Sequence, residues 1–126
     1  MAQQPNSAPK SLPKPARIRS PHGADWFEIA WNDGVEHRIS NAVLRGYCPC
    51  AGCQGHSGPV RFIEGRDSTL TDIQRVGNYA LKLVWSDGHS SGLYSFSHLH
   101  HLGELFKQHG ASLPTLVPEL PRRTSA

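Results

Sequence analysis

The 126-residue sequence has no apolar run long enough to cross a membrane, and no apolar core behind its first residues of the kind a secretory signal carries. Membrane insertion and export are therefore not expected. Acid is absent from residues 1–20, which instead hold Pro5, Pro9, Pro13 and Pro15 together with Lys10, Lys14, Arg17 and Arg19. Organellar leaders are also acid-poor, but four prolines forbid the amphipathic helix they need, so the cytoplasm is the expected location. A stretch of this composition cannot bury enough apolar surface to offset its ordering entropy, and it reads as a disordered tail over 1–20. Residues 114–126, again proline-rich and holding Arg122 and Arg123, read as a second tail. One domain is left, residues 21–113, large enough to bury roughly 60–65% of its unfolded surface and to fold alone.

The formal charge of +3 belongs to the tails. The first carries +4 and the last +1, which leaves 7 basic and 9 acidic residues in the domain, a net charge of −2. A domain without basic excess has nothing with which to neutralise a phosphate backbone, so nucleic-acid binding is not expected.

Two hairpins are legible. In Trp26–Trp31 the residues Phe27, Ile29 and Trp31 share one face, and Asp33-Gly34 then leads into the alternation of Val35, His37 and Ile39. In Tyr79–Trp85 the odd positions are again apolar, and Asp87-Gly88 follows. Asp-Gly after such a run predicts a two-residue type I′ turn. Ser40 then predicts a cap on a short helix through Arg45, and Ser97 a cap on a longer one whose Leu99, Leu102 and Phe106 share a face and whose stop is Gly110. Trp-x-Asp-Gly recurs 54 residues apart, at Trp31 and Trp85. A degenerate duplication and an accidental likeness within one antiparallel sheet both account for the recurrence. Arg61-Phe62-Ile63 and the stretch 68–76 are further strand candidates. The fold class is α+β in either case: a small antiparallel-sheet domain of two hairpins, each followed by a helix, with a metal-binding loop.

That loop is Cys48-Pro49-Cys50-Ala51-Gly52-Cys53, which holds all three cysteines of the chain. An odd count leaves one thiol unpaired, a bridge between Cys48 and Cys50 would be strained, and a reducing compartment disfavours both. Thiolates are soft donors suited to zinc or an iron–sulfur cluster, and Pro49 and Gly52 bias the loop toward turns that converge several sulfurs on one centre. A fourth ligand must come from elsewhere. His89 is the leading candidate because it begins a strand directly after the Asp87-Gly88 turn. His56 is the local rival, and His98, His100 and His101 could reach in, although neighbouring helical positions diverge by about 100°. Only His98 and His101 are spaced to share a metal within the helix.

The run Leu44-Arg45-x-x-Cys48-Pro49-Cys50-x-x-Cys53, then Val76-Gly77-Asn78-Tyr79-Ala80-Leu81, then Trp85-Ser86-Asp87-Gly88-His89-Ser90-Ser91-Gly92-Leu93-Tyr94-Ser95-Phe96 with Leu99 beyond, resembles the gamma-butyrobetaine hydroxylase-like N-terminal domain family. The likeness spans about residues 22 to 110. In the hydroxylase that names the family, this domain precedes a jelly-roll oxygenase domain and holds zinc through three cysteines and a histidine. The resemblance places those ligands on Cys48, Cys50, Cys53 and His89.

It does not bring the oxygenase chemistry with it. A non-haem iron centre needs two histidines and a carboxylate, usually begun by His-x-Asp or His-x-Glu, and no histidine here has an acid two residues later. Nor is there a Gly-x-x-x-x-Gly-Lys-Ser/Thr phosphate loop. The chain most resembles stand-alone bacterial members, and relatives fused to ATPases of iron–sulfur assembly suggest such ATPases as protein partners. The expectation is a zinc-binding accessory or interaction domain that is not itself an enzyme. An iron or iron–sulfur carrier in cluster maturation is the alternative. A homodimer is one way to cover an unpaired sheet edge.

Overall fold

The computed structural model describes residues 13–21, 23–50, 54, 58–64, 69–89 and 92–120. Strands β1 (Pro15–Arg19), β2 (Trp26–Trp31) and β3 (Glu36–Ser40) form an antiparallel meander that runs into helix α1 (Asn41–Gly46). After a short β4 (Val60–Arg61), strands β5 (Leu70–Val76), β6 (Ala80–Trp85) and β7 (Gly92–Ser95) form a second meander that runs into helix α2 (Phe96–His109). A 3-10 turn at Gly110–Ser112, the short helix α3 (Leu113–Leu116) and β8 (Glu119–Leu120), which pairs with β4, complete the α+β fold. Among the described residues no helix is long and apolar enough to cross a membrane.

The two meanders repeat each other in detail. Trp31 N–H donates to Val35 C=O at 2.8 Å and Trp85 N–H to His89 C=O at 2.9 Å, while Gly34 and Gly88 N–H close the turns back onto Trp31 and Trp85 at 3.1 and 3.0 Å. Asn32 and Ser86 donate across to Lys14 and Thr69 at 2.9 and 2.8 Å, and both outer strands carry a register shift opposite the tryptophan. The likeness between Trp31 and Trp85 is thus one of geometry as well as of letters. The hydrogen bonds also correct the turn type. Both loops have three residues, a type I turn closed by a glycine at φ 89°, where the expectation was a two-residue type I′ turn. The Asp carboxylates decide this, because Asp33 Oδ1 and Asp87 Oδ1 each accept the N–H two residues on at 2.9 Å and so hold the aspartate at the turn's centre.

Ser40 caps α1 as expected, its Oγ accepting from Val43 N–H at 3.3 Å. The second helix begins two residues before the expected start. Ser95 is the cap, accepting from His98 N–H at 3.0 Å, and Ser97 lies inside the first turn. This places Phe96 in the helix, where it is 1% exposed and faces the core with Leu99 and Leu102. Gly110, at φ 59°, ends the helix and returns its N–H to Phe106.

Both meanders and helices α1 and α2 bury their apolar faces in one cluster: Phe27, Ile29 and Ile39 from the first meander, Leu81, Leu83 and Tyr94 from the second, and Leu44, Leu99 and Leu102 from the helices. The folded part also reaches into both stretches read as tails. Pro15–Arg19 is an edge strand, tolerated because Pro15 is its first residue, with Ile18 packed against the core and Arg17 and Arg19 paired with Glu36 and Glu28. At the other end Leu120 is 1% exposed, and Tyr47 Oη donates to Val117 C=O at 2.6 Å. Val117 and Leu120 bring apolar surface that the prolines around them had masked in the composition. Residues 1–12 and 121–126 lie outside the described residues.

A three-residue chain ties β3 to α2. Trp31 Nε1–H donates to His37 Nδ1 at 2.8 Å, and His37 Nε2 lies 2.6 Å from Glu104 Oε2. Indole can only donate, so Nδ1 is the acceptor, and the neutral ring carries its proton on Nε2 and gives it to the carboxylate. The His37 side chain packs so closely against Gly103 that any Cβ there would run into it. Burial, with the charge of His100 and Lys107 nearby, pulls the His37 pKa below its ordinary 6.5 despite Glu104, while the bond from His37 holds Glu104 below its ordinary 4.5. Both shifts have the same sign for stability. The unfolded chain takes up protons that the folded chain refuses, so stability is whole above pH about 6.5 and declines as pH falls below it. A thermal scan series from pH 7.5 to 5 should show this decline, and His37→Gln, which keeps a donor and an acceptor without titrating, should show a shallower one. An unchanged slope in the variant would exclude His37 as its source.

Candidate metal centre

The centre is built where the first unit ends and the second hairpin turns. The final turn of α1 delivers Cys48, whose N–H donates to Arg45 C=O at 3.2 Å, and Gln54 N–H donates to Cys50 C=O at 2.9 Å. The turn after β6 delivers His89. Cys48 Sγ lies 3.3 Å and Cys50 Sγ 3.4 Å from His89 Nε2, and the three ligand atoms lie within 4.8 Å of one another. Zinc–sulfur bonds of about 2.3 Å and zinc–nitrogen bonds of about 2.0–2.1 Å at the tetrahedral angle put sulfur and nitrogen roughly 3.6 Å apart, so the spacing suits one small cation. Cys48 is fully buried and Cys50 is 9% exposed. Two buried thiols and a half-buried imidazole are soft, deprotonatable donors converging on one point.

The surroundings hold that arrangement. A Cβ on Gly92 would stand 3.0 Å from Cys48 Sγ and 2.9 Å from the Tyr94 ring, so β7 approaches the sulfur as only glycine allows. Tyr94 Oη donates to Leu44 C=O at 2.8 Å and locks β7 onto α1. The Gln54 amide donates to Cys48 C=O at 3.0 Å and to Arg61 C=O at 2.9 Å, and accepts from Arg61 N–H at 2.8 Å, which staples the cysteine loop to β4. Beneath it, burial pushes the Tyr47 phenol up to about 12 and keeps it a neutral donor.

Cys53, the third expected thiolate, and its neighbour His56 lie outside the described residues. Among the described residues the helical histidines are not in this group. His98 is buried with Nε2 3.1 Å from Tyr47 C=O, beneath the cysteine loop, and His100 packs edge-on against Trp31 and His37. Sequence reasoning passed over Arg45, Gln54, Asp87 and Gly92. Asp87 was legible only as a turn residue, and nothing in the letters pairs residue 45 with residue 87.

A second trio, His37, His100 and Glu104, also brings its ligand atoms within 4.8 Å of one another. Its chemistry does not suit a cation. A metal on His37 Nε2 would require the proton on Nδ1, where it would meet the Trp31 N–H head-on.

Residues 18–100 match the family model described as gamma-butyrobetaine hydroxylase-like, N-terminal. Among solved structures the chain is similar to a crystal structure of a protein of unknown function, assigned to the DUF971 family, from Acidithiobacillus ferrooxidans. The two are 29% identical, with a TM-score of 0.58 over 71% of this chain and 92% of that one. It is also similar to two proteins solved by solution NMR. One is 26% identical with a TM-score of 0.66 over 84% of this chain and 85% of that one. The other is 31% identical with a TM-score of 0.63 over 99% and 96%. A comparison with curated proteins returns no match.

Proposed function

Because the chain belongs to the gamma-butyrobetaine hydroxylase-like N-terminal domain family, we propose that it is a small zinc-binding domain in which Cys48, Cys50, Cys53 and His89 hold a structural ion. The observation that carries this reading is the position of His89 Nε2, 3.3 and 3.4 Å from two buried sulfurs supplied by a different part of the chain. Zinc would neutralise the thiolates and cross-link the cysteine loop to the second hairpin, so its binding free energy becomes folding free energy. With four protein ligands the site is closed and has no position for a reacting water, so its role is to hold a surface for other proteins, a second copy of the chain or an assembly ATPase among them.

Elemental analysis of protein purified without added metal and without oxygen tests this. One zinc per chain is the expected result. Iron with sulfide and visible absorption would replace zinc with the cluster-carrier alternative, and absence of both metals would overturn the metal reading.

A further inference from the structure

Two hairpin turns of the same geometry carry an aspartate at the same place, but only one of them bonds to a buried cation. Asp33 Oδ1 accepts Val35 N–H and Asp87 Oδ1 accepts His89 N–H, each at 2.9 Å. Their second oxygens differ. Asp33 Oδ2 stands 3.6 Å from His100 Nε2, at the edge of an ion-pair distance. Asp87 Oδ2 accepts from Arg45 Nε at 3.3 Å, and the Arg45 side chain is only 2% exposed. Burying a guanidinium is costly unless it is paired, so the sequence places a charge here against a strong penalty.

The location of that charge gives it a use. Arg45 sits at the end of α1, and its carbonyl accepts the N–H of Cys48. Its guanidinium grips the carboxylate that holds the backbone of His89. One residue thus touches both arms of the centre, the cysteine arm through its main chain and the histidine arm through its side chain and Asp87. The first hairpin lacks this connection: Val35 occupies the place that His89 takes in the second, and no described cysteine is near it in the sequence.

We propose that Arg45 and Asp87 are a positioning pair for the metal centre: Arg45 clamps Asp87, and Asp87 sets the backbone of His89 so that Nε2 faces Cys48 and Cys50. The inference rests on the zinc reading above and deepens it. Neither residue is a ligand. Outer partners that orient ligands typically change metal affinity by about 10- to 100-fold when removed, and that is the scale expected here.

The test uses the full chain and zinc, with dissociation constants from competition against a chromophoric chelator and the cobalt(II) spectrum as a report on ligand geometry. Asp87→Ala should weaken zinc by about 10- to 100-fold and shift the cobalt d–d bands. Asp87→Asn keeps an acceptor for His89 N–H and loses the charge that holds Arg45, so it should fall between Asp87→Ala and the wild type. Asp33→Ala removes the same turn bond from the other hairpin and should leave zinc affinity within about threefold. This control separates a positioning role from general weakening of a turn. Equal losses in Asp33→Ala and Asp87→Ala, or wild-type affinity and spectrum in Asp87→Ala, would overturn the inference while leaving the zinc reading intact. If Asp87→Ala does not fold, Asp87→Asn and Arg45→Lys carry the same comparison, and wild-type affinity in both would overturn it. A wild-type chain that binds no zinc would overturn both readings.

Discussion

Replacing Cys50 with Ser is expected to release the metal and to cost more stability than any surface change in the molecule. Ser is nearly isosteric, so packing around a residue that is 9% exposed is hardly disturbed, but its hydroxyl stays protonated and is a poor zinc ligand. If the site holds zinc at about 1,000 times its dissociation constant, binding contributes about 4 kcal/mol to folding. For a domain this size that is a fall in Tm of roughly 16 °C or more. Thermal scans with and without a chelator check it. The wild type should fall toward the variant when zinc is stripped, and the variant should not respond. A variant with wild-type Tm and full zinc would mean that Cys50 is not a ligand.

The second large effect concerns the first meander, which contributes no proposed ligand. Phe27 is fully buried in β2 opposite Ile39, also fully buried, and belongs to the same cluster as the leucines of α2. Phe27→Ala should cost about 3–5 kcal/mol, from lost transfer free energy and the cavity left behind. Lys107→Ala, on the exposed side of α2, should stay within about 0.5 kcal/mol. Urea titration of both variants gives the comparison, with an unchanged slope showing that the native and denatured states keep their compactness. A loss below about 1 kcal/mol at Phe27 would mean that the first meander does not share the common core. The two predictions are complementary, since metal removal leaves Phe27 packed and the Phe27 cavity leaves all four proposed ligands in place.

The strands of both hairpins were legible because side chains alternate faces with a period of two, and that alternation is local. Asp33-Gly34 and Asp87-Gly88 marked the turns for the same reason, although the aspartate side chains, bonding two residues on, lengthened both loops to three residues. The outer strands were harder. Pro15–Arg19 has little apolar character of its own and is a strand because β2 offers it an edge, and Leu70–Val76 owes its place to β6 in the same way. Propensity is weak at such edges, and pairing decides.

Cys48, Cys50 and Cys53 marked a candidate metal loop through density alone, and the turn before His89 made that histidine a candidate. The order of the chain, its hairpins, its class and three of its four proposed ligands follow from spacing along the sequence, because each depends on residues within a few positions of one another. Where the described histidines lie relative to the cysteines is a matter of the fold. His89 lies against sulfurs about 40 residues away, His98 Nε2 lies against Tyr47 C=O, and His37 is committed between Trp31 and Glu104. Arg45 and Asp87, 42 residues apart, meet for the same reason. Contacts of that range are made when two sheets close on one core, and no local periodicity records which polar residue will then face which.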